Sequence, residues 1–585
     1  MRKVKNTYTP EKVSVKEYFG IFKGIKIPWL FFVMILVCTI GTTIAGMTLT
    51  YFTGDVVDAS GEVPTAQLVS YAVGYLLVGV FSSGTMIFEG VASERINLGL
   101  RKKLWSKIIY TKQSCYDEDG GETLVSRVTT DCDFASKLFT TIVGFISLGI
   151  SLGMYIVQMY LLSVLLANYM LILIPISTLI GWGYTKLRYL IAQKSQAMLA
   201  RTTTYLIERT RDLALVKAAN AQVQEIEAGA DCFKEQYAMQ IKTGLMDIFY
   251  TALQTIYQIL SILIPFAVGA GLVANGHMTA GSVVAFYGFS STVGINFTNI
   301  IQYCGDIKQA NGALARVIRT FKLPDEQTDT GIQMDEPDAD ISFDNISFQY
   351  TNTTVLENFT CEIPKHKVTA IIGANGSGKS TVFKLLERLY EPNNGAMKFG
   401  GTDVKEYNLH AWRKAFAIVA QDSPLMEGTI RENICYGCER DIAEEELKEV
   451  AKRAGVDKIV AELEKGYDSK VVSGGTNFSG GQRQCIAIAR AMMNNPDYLL
   501  LDEATSNLDV KSEKMVLSAL SELMKDRTTV IIAHSLSAIR KADHVIILED
   551  GKAACSGSPE EVLKSSGSYL AKVMNRRQKV GVESN

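Results

Sequence analysis

Four long stretches of the sequence contain no Asp, Glu, Lys or Arg, and they limit what this chain can fold into more than any other feature. They cover residues 27–54, 63–88, 138–185 and 248–305. Charged side chains are costly in hydrocarbon, so long uncharged and mainly apolar stretches are typical of membrane-spanning helices. We therefore expect a membrane region in the first half of the chain.

The lengths of the four stretches predict how often the chain crosses the membrane. A helix rises about 1.5 Å per residue and the hydrocarbon core is roughly 30 Å thick, so each of the first two stretches suits one crossing. The other two are about twice as long and must fold back, near Ala167-Asn168 and near Asn275-Gly276. The sequence predicts six spans.

The basic residues predict the orientation, because Lys and Arg near span ends stay preferentially in the cytoplasm. Neither occurs between residues 27 and 88. The first loop, with Asp55, Asp58 and Glu62, should therefore face outward. Basic residues occur in the N-terminal tail, in 89–137, in 186–247 and after Asp306, so we expect both termini in the cytoplasm.

The segments between the spans predict helical extensions into the cytoplasm. Residues 94–110 keep apolar side chains at helical spacing, and residues 186–240 contain few Gly and no Pro. Each extension has a turn-like break, at 117–121 and around 209–213. A short transverse helix at either break could contact another domain.

A second domain of a different fold class follows the membrane region. The chain should stay helical to about Phe321, and a Pro- and Gly-containing polar linker follows. Alternating strands (341–350 and 367–372) and helices (380–389) then predict an α/β domain. We divide the chain into an N-terminal tail (1–26), an all-α six-helix transmembrane domain (27–321), a linker (322–338), an α/β P-loop ATPase domain (339–574) and a C-terminal tail (575–585).

The nonapeptide GANGSGKST predicts a phosphate-binding loop. Its glycines allow the backbone to turn with positive backbone angles, so that amide groups point at phosphate oxygens, and the dipole of the following helix adds to the attraction. Lys379 should reach the β- and γ-phosphates, and Ser380 should ligate Mg²⁺. The predicted nucleotide-binding residues here are Gly373, Asn375, Gly376, Ser377, Gly378, Lys379, Ser380 and Thr381.

Two adjacent carboxylates follow an apolar strand further along the chain. Asp502 ends the segment YLLLD and is suited to hold a divalent cation through oxygen. Glu503 comes next, where a carboxylate can polarise the attacking water as a general base. The loop and this strand together predict a Mg²⁺-dependent ATPase.

A third element, FSGGQRQ at residues 478–484, lies between the loop and this strand. With these elements in this order, the chain resembles a half-transporter of the ABC exporter superfamily, with a type IV exporter membrane domain followed by its ATPase domain. The resemblance implies that this signature element completes an ATP site on the opposite subunit, through Ser479, Gly480, Gly481 and Gln482. A helix N-terminus after Gly-Gly offers amide donors to phosphate, but it cannot fold back onto its own chain's loop.

The same resemblance implies further roles. Tyr350 would stack on adenine, Gln421 would contact Mg²⁺, and His534 would bind the γ-phosphate as a catalytic residue beside Glu503. Asp509 would cross the dimer interface. Residues 116–131 and 208–217 resemble the two intracellular loops and are candidate coupling helices, and residues 311–317 resemble the end of the sixth span.

Two positions depart from the pattern of the family. Ser473 lies where exporters usually carry a glutamate, in the X-loop, and Ser535 replaces the arginine that is common after His534. The first departure concerns coupling between subunits. Neither removes a group that hydrolysis needs.

The predicted function is ATP-driven transport, with export of a hydrophobic or amphipathic small molecule, lipid or peptide favoured. The alternatives are an importer with the exporter fold, a peptide-specific exporter, and a protein that uses ATP for gating. The expected cofactors are ATP and Mg²⁺, and the expected partner is an identical chain in the cell membrane, although a heterodimer is an alternative.

Three further features bear on partners. The net charge of −2 and the absence of a basic block do not indicate nucleic acid. Cys435 and Cys438 form a lone CxxC, which we interpret as ordinary cytosolic thiols. Glu89 and Asp247 lie at the inner ends of predicted spans, where they face either the cavity or the solvated interface.

Overall fold

The computed structural model describes residues 20–59, 65–328, 330–334, 337–350, 353–502, 510–533 and 541–564. The chain divides into two compact units. The first comprises Met1–Tyr110 and Asp119–Leu323, and the second comprises Thr111–Glu118 and Pro324–Asn585. The short segment Thr111–Glu118, which the sequence places in the membrane domain, therefore belongs to the second unit.

The first unit is built from long helices. In chain order, the helices from Trp29 to Phe321 are α1 (Trp29–Asp58), α2 (Thr65–Ile109), α3 (Gln113–Asp119), α4 (Gly121–Ser126), α5 (Cys132–Leu162), α6 (Val164–Arg211), α7 (Leu213–Ala218), α8 (Gln222–Ala274) and α9 (Ala280–Phe321). A π-helical segment, Arg127–Asp131, joins α4 to α5. Helix α9 packs against α5, α1, α8 and α6 and is the centre of the unit.

Five helical segments in the described part of the chain are long and apolar enough to cross a membrane: Trp29–Asp58, Thr65–Ile109, Thr123–Leu162, Val164–Arg188 and Gln222–Ala274. The sixth predicted span also forms a continuous helix, α9, but α9 is not among these five. The count of six spans stays a prediction.

The two predicted turns between spans have different outcomes. Helix α8 ends at Ala274, and Gly276 has a φ of +71°, which confirms the turn at Asn275-Gly276. The turn predicted at Ala167-Asn168 is wrong, because both residues lie inside α6. Ser163 breaks the helix four residues earlier, in an extended conformation, and its hydroxyl accepts a hydrogen bond from the backbone N–H of Leu166. A serine cap is a stronger helix boundary than an Ala-Asn step.

The extensions that the sequence places in the cytoplasm have the predicted helical form. Helix α2 continues to Ile109, and the break predicted at 117–121 falls between α3 and α4, where Gly120 has a φ of +75°. Asp212 separates α6 from the six-residue α7, which matches the break predicted around 209–213.

The second unit is an α/β domain with two main sheets. A mixed six-stranded sheet has the order β12-β11-β3-β10-β9-β6, and an antiparallel sheet has the order β2-β1-β4-β5. The strands are β1 (Ile341–Tyr350), β2 (Thr353–Ile363), β3 (Val368–Gly373), β4 (Asn394–Phe399), β5 (Thr402–Asp403), β6 (Phe416–Val419), β7 (Gly428–Thr429), β8 (Lys470–Val471), β9 (Tyr498–Asp502), β10 (Thr528–Ile532), β11 (His544–Glu549) and β12 (Lys552–Gly557).

The described helices of this unit connect and cover the strands. They are α10 (Lys379–Leu386), α11 (Leu409–Lys414), α12 (Ile430–Ile434), α13 (Glu444–Arg453), α14 (Val456–Ala461), α15 (Gly480–Met493), α16 (Val510–Leu523) and α17 (Pro559–Lys564). The predicted helix at 380–389 ends three residues early, because Arg388 has a φ of +51°, which no helix accommodates.

Candidate functional site

The loop between β3 and α10 depends on glycine at three positions. Gly376 and Gly378 have φ angles of +83° and +109°, which side chains disfavour. The prediction of positive angles is wrong for Gly373, where the reason is space. A Cβ atom there would lie 2.4 Å from the carbonyl oxygen of Leu548 and 2.4 Å from the hydroxyl of Ser377. At Gly373 the backbone therefore lies so close to these two oxygen atoms that a residue with a side chain would not fit.

Two side chains of the loop have polar groups suited to a phosphate. The Nζ atom of Lys379 donates to the carbonyl oxygens of Gly373, at 3.0 Å, and Ala374, at 2.9 Å. The hydroxyl of Ser377 is buried and has no hydrogen-bond partner among the described residues. A buried polar atom is costly unless it is paired. A buried cation beside an unsatisfied hydroxyl fits an anion such as a phosphate.

The central sheet brings the other predicted ligands to the edge where this loop lies. Strands β6, β9, β10 and β3 are neighbours and parallel, so their carboxyl ends share one edge. Ile532 of β10 is paired with Asp502 on one side and with Ile371 of β3 on the other. Gln421 comes two residues after Val419, the last residue of β6. Asp502 and Gln421 therefore lie at the edge that carries the phosphate loop.

Both predicted catalytic residues lie outside the described residues. Glu503 directly follows Asp502 at the end of β9, and His534 comes two residues after the end of β10. Asp509 and Ser535 are also outside the described part. The placement of these four side chains stays a prediction.

Tyr350 ends β1 beside the phosphate-loop helix. Its hydroxyl lies 3.4 Å from the hydroxyl of Thr381, and the ammonium group of Lys384 lies 5.2 Å from its ring centroid. Two other aromatic rings meet it edge-on, Phe348 at 4.8 Å and Tyr390 at 5.2 Å between centroids. The partly exposed ring is therefore held in place from several sides, which suits a platform for a planar base.

The signature element, residues 478–484, begins a helix on the surface. Ser479 is exposed and caps α15 through a reciprocal pair of hydrogen bonds. Its hydroxyl accepts from the N–H of Gln482 at 3.3 Å, and the amide oxygen of Gln482 accepts from the N–H of Ser479 at 2.9 Å. Gly481 has no room for a side chain, because a Cβ atom would lie 2.5 Å from the Cβ of Ser512.

The signature element and the phosphate loop belong to different hydrophobic cores. Phe478 and the buried face of α15 pack with α12, α13 and α14. Strand β3 contributes Ile371 to a second core, beneath the antiparallel sheet, and Ala370 to a third. The core under the signature element therefore contains no described residue of β3, although it rests on β6 and β9 of the same central sheet, and the helix begins at the exposed Ser479.

Comparison with known proteins agrees with this arrangement. A family model described as ABC transporter transmembrane region matches residues 32–295, and one described as ABC transporter matches residues 356–506. A Rickettsia conorii protein, named as an export ATP-binding/permease protein, is 30% identical over 490 residues, which cover 82% of this chain and 84% of the relative. The chain belongs to the ABC transporters.

Two further relatives share most of the length of this ABC transporter. A Lactococcus lactis protein (strain IL1403) named Multidrug resistance ABC transporter ATP-binding and permease protein is 29% identical over 575 residues, which cover 98% of this chain and 97% of the relative. Mouse ATP-binding cassette sub-family B member 10, mitochondrial, is 28% identical over 553 residues, which cover 92% of this chain and 77% of the relative. The transporter is a half-transporter in architecture, which implies dimerisation, and its ATPase activity is coupled to transport.

The X-loop of this ABC transporter has an ordered conformation around Ser473. Ser473 is exposed and begins a short 3₁₀ turn that ends at Gly475. The side chain of Asn477 ties the preceding strand to the turn, since it accepts from the N–H of Val472 and donates to the carbonyl oxygen of Lys470. Ser473 therefore presents a short neutral side chain at the position where the resemblance to exporters predicts a glutamate.

The segment 111–118 contacts Tyr390 and Glu391, which lie close to Tyr350 within the second unit. Tyr390 donates its hydroxyl to the carboxylate of Asp117, and Lys112 forms an ion pair of 2.9 Å with Glu391. Burial, with the hydrogen bond to Asp117, raises the pKa of Tyr390, and the bond from Lys112 lowers the pKa of Glu391. A cavity of about 610 Å³ is lined by this segment and by residues on β1 and after α10.

Two residues near the site were not predicted from the sequence. Tyr390 touches both Asp117 and the ring of Tyr350. Glu387 follows α10 and is partly buried. The pKa of Glu387 is raised to about 7, mainly by burial. The nearby charges of Arg413 and Lys384 partly oppose this increase, and the charge of Asp502 adds to it. The sequence offered one signal for these two residues, their position in the chain, since both come within four residues of the end of the phosphate-loop helix.

Proposed function

We propose that two copies of this chain form an exporter that moves a hydrophobic or amphipathic small molecule, lipid or peptide out of the cell. The observation that carries the homodimer is the exposed, capped N-terminus of α15 at Ser479, organised by a core separate from that of the phosphate loop. A helix N-terminus that presents amide groups to solvent suits a phosphate on another molecule. Because one chain carries both half-sites, two identical chains would form two complete sites.

In this proposal ATP binds to the phosphate loop and Tyr350 supports the adenine ring. Ser380, Gln421 and Asp502 would hold Mg²⁺, which neutralises charge on the transferred phosphoryl group. Lys379 would pair with the β- and γ-phosphates. Glu503 would orient and deprotonate the attacking water, and His534 would contact the γ-phosphate.

The orientation in the membrane is supported by charge, and the direction of transport is supported by the names of two relatives. The restriction of Lys and Arg to one predicted side of the spans favours cytoplasmic termini and a cytoplasmic ATPase domain for a protein of the cell membrane. The relative from Lactococcus lactis is named for multidrug resistance and the one from Rickettsia conorii for export, and both names favour outward movement of a small amphipathic compound.

Transport by reconstituted vesicles tests the proposal. The full chain is inserted with its ATPase domain facing outward, and uptake of a lipophilic fluorescent dye, a fluorescent phospholipid and a labelled hydrophobic peptide is followed after addition of ATP and Mg²⁺. Accumulation inside these vesicles corresponds to export. The variant Lys379→Ala, which removes the ammonium group that we expect to pair with the phosphates, should show no accumulation. ATP-driven loss of preloaded compound would instead establish import, and no ATP-dependent movement of any of the three classes would refute the proposal.

A further inference from the structure

The π-helical segment at the start of α5 brings two polar side chains against the end of α9. Arg127 and Asp131 bound this segment, and both are almost completely buried. An α-helix rarely widens into a π-helix, and where it does the site is frequently functional. The segment lies in the part of the chain that resembles the first intracellular loop.

Asp131 and Arg316 form a two-pronged ion pair. The Nε and NH2 atoms of Arg316 donate to the two carboxylate oxygens of Asp131, at 2.8 and 2.5 Å. The carboxylate is buried, whereas about half of the Arg316 side chain is exposed. A two-pronged guanidinium–carboxylate pair fixes direction as well as distance, which a lysine could not do.

A second contact lies one turn further along α9. Arg127 donates from NH1 to the hydroxyl of Thr320 at 3.0 Å, and Thr320 is completely buried. Thr320 is the last but one residue of α9, where the chain leaves the helical unit. The backbone at this exit has a further attachment, because Lys107 of α2 donates to the carbonyl oxygen of Leu323.

The carboxylate of Asp133, two residues after Asp131, contacts a different helix, α2. Asp133 accepts a hydrogen bond from Asn97 of α2 at 3.1 Å and lies 3.8 Å from Arg101. Residues two apart on a helix face roughly opposite sides, so Asp131 is directed to α9 while Asp133 is directed to α2. The start of α5 is therefore attached by polar contacts to both α2 and α9, the helices after which the chain passes into segments of the second unit.

We propose that Asp131 and Arg316 are positioning residues of the transport cycle, whose ion pair carries movement of the chain at the end of α9 into α5 and so into the membrane region. This inference rests on the proposed function, since it assigns a task within ATP-driven transport. Neither residue belongs to the predicted nucleotide-binding or catalytic set. A helix end held only by apolar packing could slide, whereas a two-pronged pair resists both sliding and rotation.

The chain offers a readout that needs no identified substrate. Of its four tryptophans, Trp29, Trp105 and Trp182 are exposed in the first unit, while Trp412 is completely buried in the second. Acrylamide quenching in detergent therefore reports mainly on the helical unit. In the unmodified chain, ATP with Mg²⁺ should change the quenching.

The test compares Asp131→Asn, Arg316→Gln and Arg316→Lys with Lys308→Gln, which alters an exposed charge on the same helix. The first three should reduce the ATP-induced change by roughly 3-fold or more, while ATP affinity and hydrolysis without substrate stay within about 2-fold of the unmodified chain. Lys308→Gln should leave all three quantities unchanged. The exchanged pair Asp131→Arg with Arg316→Asp should recover part of the response.

The outcomes separate this inference from the proposed function. A full ATP-induced change in both Asp131→Asn and Arg316→Lys would overturn the positioning role alone. Equal loss of hydrolysis and quenching change, with a lowered unfolding temperature, would also overturn it, since that pattern indicates a merely structural pair. The absence of ATP-driven transport in the unmodified chain, with the quenching results as expected, would refute export but not the role of the pair.

Discussion

The hydroxyl of Tyr390 is bonded to Asp117, and the ring of Tyr390 meets Tyr350 edge-on at 5.2 Å. A residue of the segment 111–118 is thus two contacts away from the aromatic ring that we expect under adenine. Lys384 reinforces the arrangement, since its ammonium group lies 5.2 Å from one ring centroid and 5.6 Å from the other. Tyr390 therefore has two separable roles, through its ring and through its hydroxyl.

Substitution of Tyr390 should separate these roles. Tyr390→Ala removes the edge contact with Tyr350, and since such a contact contributes about 0.5–1.5 kcal/mol, the KM for ATP should rise roughly 2- to 10-fold. Tyr390→Phe keeps the ring and loses the bond to Asp117, so the KM should stay near its original value while stimulation of hydrolysis by transported compound falls. ATPase kinetics provide the measurement, with Tyr436→Phe, an exposed tyrosine, as the control. Equal KM values for the Ala and Phe variants would contradict the role of the ring.

Substitution of Ser479 should separate helix capping from nucleotide contact. The chain contains a second capping box of the same kind, in which Thr429 and Glu432 begin α12. Ser479→Ala and Thr429→Ala should each lower the free energy of unfolding by about 1 kcal/mol, because each removes one helix cap. Only Ser479→Ala should also reduce ATP hydrolysis, by roughly 10-fold or more, as it removes a contact to the partner's nucleotide.

Thermal unfolding and ATPase assays of both variants check this prediction. Equal, small losses of activity in the two variants would show that Ser479 acts as a cap alone. A large loss of activity in Thr429→Ala would show that α12 affects hydrolysis by another route, and the comparison would then not support a nucleotide contact at Ser479.

The parts of the fold that the sequence predicts well are those set by local pattern. Strand β1 has the predicted bounds, 341–350, because apolar residues alternate with polar ones on both sides of Asp344-Asn345, where a register shift puts one extra polar residue into the pattern. The phosphate-loop helix begins at Lys379, one residue before the predicted start at 380, since Gly378 adopts the left-handed conformation before it. The predicted turn at Ala167-Asn168 failed because apolar composition is uniform there and one serine hydroxyl decides the boundary.

The parts that could not be predicted depend on contacts between distant residues. Tyr390 and Asp117 are 273 positions apart, and Arg316 and Asp131 are 185 apart. Nothing in the local sequence of either member specifies its partner. The edge shared by Asp502, Gln421 and the phosphate loop was inferable only through the family, because it follows from the strand order and not from spacing along the chain.

The partly buried carboxyl of Glu387 should make stability depend on pH. Its pKa is raised from 4.5 to about 7 by burial, so the folded state binds a proton that the unfolded state releases. Stability is therefore lost as pH rises from about 4.5 to about 7 and is then constant, with a total cost of up to about 3 kcal/mol. Glu387→Gln removes the charge, and the variant should melt at a higher temperature than the original chain at pH 8 and at a similar temperature at pH 5.

Melting curves in metal-free buffer measure this effect, since a cation near Asp502 would change the local charge. Glu464→Gln, which alters an exposed carboxylate in the same unit, serves as the control and should not change the pH dependence. The same melting difference between Glu387→Gln and the original chain at both pH values would contradict the raised pKa.

Substitution of Glu503 should separate ATP binding from ATP hydrolysis. Glu503→Gln keeps the size and hydrogen bonding of the side chain but cannot accept the proton of the attacking water, so hydrolysis should be abolished while ATP stays bound between the two ATPase domains. Lys379→Ala should abolish both ATP binding and hydrolysis, because the loop loses the ammonium group that the carbonyl oxygens of Gly373 and Ala374 hold in place.

Native mass spectrometry with ATP and Mg²⁺ distinguishes the two variants. Glu503→Gln should appear as a dimer with two nucleotides, and Lys379→Ala should appear without nucleotide. Undiminished hydrolysis by Glu503→Gln would show that another group is the base, and a nucleotide-loaded monomer would show that the signature element does not complete the site of an identical partner.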